Sequence, residues 1–175
     1  MKKFCRALTA RTAAAAATLI FSLAGTASAV SAAPSPAPHP VQTVQQAAAL
    51  PTSQTNGKNF VGLAYATRLF SATAETPVYG ALIYFTPGAR TNWHIHSRTQ
   101  TLIVTEGVGY TQEWGKPVTV IRPGDVVQCP AGVKHWHGST ATTSMSHIAI
   151  SEPSPEGVTW LEPVSDEQYP REIPE

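Results

Sequence analysis

From Phe60 to Ser151 the chain alternates short apolar stretches with turns. FVGLAYA, VYGALIYF, TNWHIH, QTLIVT, VGYTQEW, VTVIRP, DVVQC, KHWHGST and SMSHIAIS are rich in β-branched and aromatic residues. Between them stand FTPGAR, TEGVG, WGKP, RPGD and PAGVK, turn chemistry built on proline and glycine. Such segments, spaced about 8–12 residues apart with no long amphipathic helix between them, predict an all-β sandwich or barrel. The last stretch, EGVTWLEPVSDEQYPREIPE, predicts one short helix over 165–169, opened by Ser165 with acids behind it. The domain so defined spans 57–170, with a tail at 171–175.

The stretch 30–56 is different. It is rich in Pro, Ala, Ser and Gln with almost no large apolar side chain, and it holds His39 between prolines. A segment that buries so little cannot offset its ordering entropy, which predicts a disordered linker with a helical turn or two within VQTVQQAAAL. Ahead of it, Lys2, Lys3, Arg6 and Arg11 precede an apolar run over 13–24 that closes on Ala27-Ser28-Ala29. A basic start, a short apolar run and an A-x-A site describe a secretory signal peptide over 1–29, cleaved after Ala29. The run is too short for a stable membrane span. The expected location is therefore secreted or periplasmic.

Cleavage leaves eight basic against 11 acidic residues, a net charge of −3. A mildly acidic chain without a basic run offers nothing to nucleic acid. It also strands Cys129 without a partner for a disulfide, so the core must hold itself together, with Cys129 as a small buried hydrophobe.

Five of the six histidines fall between 94 and 147. On a strand His94 and His96 share one face, while Trp93 and Ile95 take the other, so the pair is able to grip one ion. Written out, the chain reads G-x5-H-x-H-x3-Q-x6-G from Gly88 to Gly107, then G-x5-P-x-G-x2-H from Gly124 to His135. These spacings, nine fixed positions in order, resemble the two motifs of the cupin superfamily, with Gln100 where many cupins have Glu. The resemblance implies a double-stranded β-helix (jelly-roll) holding one metal, with His94, His96, Gln100 and His135 as ligands. It also sets Ser139 in place of a motif asparagine that is not a ligand.

Three imidazoles and an amide oxygen suit a divalent transition metal, with Mn(II), Fe(II), Co, Ni and Zn all open. A closed tetrahedral zinc, or histidines satisfied by backbone, is the structural alternative. With Gln in place of Glu the ligands carry no charge, so the ion keeps its full charge. That favours polarising a bound oxygen over redox chemistry.

Over nearly the whole domain the chain is similar to small bacterial cupins of the (R)-mandelonitrile lyase-like, or hydroxynitrile lyase, group. The similarity implies manganese, a small-molecule cyanohydrin substrate, His147 taking the hydroxyl proton, and Ala81 and Ile83 lining the pocket. Ser151 stands where those lyases carry a pocket glutamine. His137 shares a strand face with His135, which makes it the second candidate for acid–base work. A metal-dependent dioxygenase and a non-enzymatic small-molecule binder are the rival functions. Trp93 and Trp136 face away from the metal side and need covering by the other sheet, the terminal segments or a second subunit, from which a homodimer or homotetramer is expected.

Overall fold

The structure, a computed structural model, describes residues 41–55 and 57–172. The expected signal peptide over 1–29, residues 30–40 of the expected linker and residues 173–175 of the tail lie outside the described residues. A single 3-10 turn, Ala47–Ala49, is what VQTVQQAAAL forms. The strands begin with β1 (Thr52–Gln54), β2 (Phe60–Val61), β3 (Ala64–Phe70), β4 (Tyr79–Phe85), β5 (Arg90–Thr91) and β6 (His94–His96). They continue with β7 (Gln100–Gly107), β8 (Gly109–Glu113), β9 (Thr119–Ile121) and β10 (Val126–Cys129). The last are β11 (His135–Ser139), β12 (Met145–Ser151) and β13 (Val158–Trp160).

Two antiparallel sheets result, as the turn-punctuated pattern requires. One runs β1-β3-β4-β12-β7-β10; the other runs β13-β6-β11-β5-β2, with β8 also on β11 and β9 on β8. Consecutive strands are repeatedly assigned to opposite sheets, the winding of a jelly roll. Among the described residues no helix is long and apolar enough to cross a membrane.

Register explains the interior. Ala81 pairs with Ala149, which pairs with Leu102; Ile83 pairs with His147, which pairs with Val104; Tyr79 pairs with Ser151, which pairs with Gln100. Directly opposed residues share a face, so these three rows line the inside of the first sheet. Below them Phe85, Met145, Val104, Ile121, Ala64 and Ala89 pack into a core that closes one end. Cys129 is buried against Leu102 and Ala149, and burial pushes its thiol up to about 12, so it serves as an apolar filler.

Two expectations change. Thr52–Gln54, inside the stretch read as linker, is an edge strand paired residue for residue with Tyr65–Thr67. It has no apolar residue to reveal it; what orders it is the otherwise open backbone edge of β3. The predicted helix over 165–169 is one turn, in which Ser165 O accepts from the N–H groups of Gln168 and Tyr169. Pro163 and Pro170 bracket it and leave no room for a second turn.

Trp93 and Trp136 do face away from the histidines, and the chain covers them itself. They pack with Tyr110, Val164 and Tyr169, and Trp93 donates from Nε1 to Gln168 Oε1 at 3.2 Å. Arg90, buried, fastens this covering segment. It donates to Val164 O at 3.0 and 3.2 Å and to Asp166 at 2.8 Å, with the Tyr169 ring over its guanidinium. The tryptophans therefore give no argument for a second subunit.

Candidate metal centre

The second sheet delivers His94 and His96 on β6 and His135 and His137 on β11; the first sheet delivers Gln100 and His147. His94 sits directly opposite His135 in register, and their ring centroids lie 4.2 Å apart. His96 follows at 5.1 Å from His94 and 5.6 Å from His135. Gln100 Oε1 lies 3.3 Å from His135 Nε2. The four residues picked out by spacing are thus brought to one place inside the barrel.

Their surroundings fix which nitrogens are available. His94 Nδ1 donates to Asn92 O at 2.9 Å, and His135 Nδ1 donates to Val133 O at 3.0 Å. A neutral imidazole has one N–H, so each ring keeps its Nε2 lone pair for the interior. Backbone acceptors of this kind are what orient metal-binding histidines. His96 Nε2 is buried without a partner. The Nε2 lone pair of His135 and the amide oxygen of Gln100 face each other as two acceptors, which repel unless a cation or proton sits with them.

Electrostatics agrees. Burial, then His135, pushes His94 well below the usual imidazole range; the same two causes push His96 down to about 4. Burial likewise lowers His135. The rings are neutral at physiological pH, the form that ligates.

His137 stands closer to this group than its assignment to acid–base work implied. The ligating atoms of His94, His135 and His137 all lie within 4.8 Å of one another, a three-histidine group able to hold an ion. The spacing-derived set and this one share His94 and His135. His137 Nδ1 and His147 Nε2 meet at 3.1 Å, leaving His137 Nε2 and His147 Nδ1 buried without partners among the described residues. Both rings are uncharged: burial pushes His147 down to about 3, and burial, then the repulsion that a second charge beside His147 would meet, holds His137 well below its ordinary value.

A cavity of about 170 Å³ opens on the cluster. His94, His96, Gln100, His137 and His147 line it together with Thr91 and Tyr79, and Phe60, Ala81, Ile83, Ala149, Val158 and Trp160 form its apolar part. It exists because Ala81 and Ala149 are small at the middle row. Ser151, expected in the same pocket, lines an adjoining recess instead. Sequence reasoning missed Phe60 and Trp160. Trp160, whose ring centroid lies 4.9 Å from that of His94, comes from β13 in the last stretch, where a helix over 165–169 but no strand is expected, and no spacing signal marks it.

A jelly roll with this histidine cluster inside it defines the class, and sequence comparison agrees: the chain belongs to the cupin family. The Cupin domain profile matches residues 81–151. The (R)-mandelonitrile lyase of Granulicella tundricola is 48% identical over 124 residues, covering 68% of this chain and 95% of that protein. A cupin-like protein from Thermotoga maritima superposes with a TM-score of 0.62 at 39% identity, over 67% of this chain and 90% of the other. A cupin-2 domain protein from Rhodospirillum rubrum shares the fold alone, with a TM-score of 0.59 at 14% identity over 74% and 84% of the two chains.

Proposed function

We propose that this chain is an exported metal-dependent lyase that splits cyanohydrins into a carbonyl compound and cyanide. The observation that carries the reading is one small cavity in which His94, His96 and Gln100 and a hydrogen-bonded His137–His147 pair meet an apolar wall. The 48% identity with a protein named (R)-mandelonitrile lyase supports it.

His94, His96, Gln100 and His135 would hold the metal, manganese(II) in this proposal. Bound there, a divalent ion supplies Lewis acidity without changing oxidation state. The apolar wall of Ala81, Ile83, Ala149, Phe60 and Trp160 receives the organic part of the substrate and excludes water. His147 accepts the hydroxyl proton, and the bond to His137 lets the two rings share the resulting charge. The C–C bond to the nitrile then breaks, the O–H electron pair becomes the carbonyl π-bond, and cyanide leaves with the C–C pair. The proton held by the histidines returns to cyanide.

The test is benzaldehyde release from mandelonitrile by untagged protein, before and after chelation and after Mn(II) is restored. Turnover that falls on chelation and returns with the metal is expected. Mandelonitrile decay no faster than in buffer, in metal-replete protein, would refute the proposal.

A further inference from the structure

Beside the histidine cavity lies a second recess of about 240 Å³ that the mechanism does not use. The two adjoin at Tyr79, His96 and Val158, which line both. Arg68, Arg98 and Ser151 line the outer recess. Arg68 pairs in register with Ala81, a cavity-wall residue, and therefore starts on the inner face of the sheet. Its guanidinium carbon stands 4.7 Å from the Tyr79 ring centroid, at the boundary of the two spaces. Arg98 follows His96 by two residues in the bend before β7.

Neither arginine forms an ion pair within 4.0 Å among the described residues. The hydroxyl of Ser151, a residue only 5% exposed, makes no hydrogen bond there either. Against them stand Glu152, which lines the same recess, and Glu156, whose carboxyl is lowered chiefly by Ser154 and to a smaller extent by Arg98. The Glu152 and Glu156 carboxylates offset the two guanidinium charges, but neither pairs directly with an arginine, so the recess keeps guanidinium N–H and Ser151 O–H donors for an incoming ligand.

We propose that this recess binds an anionic group on the substrate, a carboxylate carried at the end of the molecule remote from the reacting carbon, with Arg68, Arg98 and Ser151 as its partners. The inference rests on the reading of the histidine cavity as the reaction site. It narrows the substrate class from neutral cyanohydrins to those of carboxylated aldehydes.

Calorimetric titration of the Mn(II)-loaded mature chain with benzaldehyde and with 4-formylbenzoate tests it, since the two differ only by a remote carboxylate. Exposed ion pairs contribute up to about fivefold each, so the carboxylate is expected to bind on the order of tenfold tighter, less so in high salt. In Arg68→Gln/Arg98→Gln the ratio of the two Kd values is expected to fall to about one. In Arg68→Lys/Arg98→Lys much of it should return. Benzaldehyde binding with no preference for 4-formylbenzoate, or a preference unmoved in the double glutamine variant, overturns this inference and leaves the cavity reading standing. If neither compound binds, the cavity reading fails and takes this inference with it.

Discussion

His147 is fully buried, and its contacts in the site are a ring nitrogen of His137 and the face of Phe85. A ring so placed costs stability when it charges, so its presence needs a use beyond packing. His147→Ala is expected to lower mandelonitrile turnover by roughly 10²–10⁴-fold, the range for losing a general base. Turnover within a factor of two of wild type would make it a core residue. At this scale strand periodicity sets His94 and His96 on one face, and the motif resemblance to cupins implies Gln100 and His135 as their companions. The approach of His137 to within 4.8 Å of two of them was not legible. Period two puts His135 and His137 on one face but says nothing of how far β11 tilts across the barrel.

Among the elements, most of the apolar strands were legible, while β1 and β13 were not. β1 reads as polar linker, and Val158-Thr159-Trp160 is too short a run to mark β13; each draws its order from the edge it joins. The motif glycines also have different physical reasons. Both Gly88 and Gly107 have positive φ, +80° and +74°. A Cβ at Gly107 would lie 1.9 Å from Ser144 O, whereas one at Gly88 meets nothing within 4 Å. Gly88→Ala should therefore cost only the left-handed strain, about 1 kcal/mol. Gly107→Ala adds a backbone clash and should cost about 3 kcal/mol or more. Urea midpoints check the order; equal losses would mean that the β7–β8 turn yields without cost.

At the scale of the whole molecule, five neutral histidines inside one barrel make the fold sensitive to acid. Each has a folded pKa below the ordinary 6.5, through burial first and then mutual repulsion for His94, His96 and His137. The unfolded chain therefore binds protons first. Their contribution to stability is complete above about pH 6.5 and is lost as pH falls through about 4 for His96 and about 3 for His147. The melting temperature of metal-free protein should fall steeply from pH 6.5 towards 4, and a flat profile would contradict the burial described here. The barrel itself was legible in the turn spacing. Its covering by residues 161–169 was not, because only the fold shows that Arg90 meets Val164 and Asp166. The central claim, that the histidine cluster is a metal centre with His147 outside the ligand set, is tested most directly by elemental analysis of three untagged proteins. Wild type and His147→Ala should each carry about one divalent metal per chain, and His135→Ala should carry little. Metal absent from wild type after Mn(II) reconstitution, or lost in His147→Ala, would contradict the account.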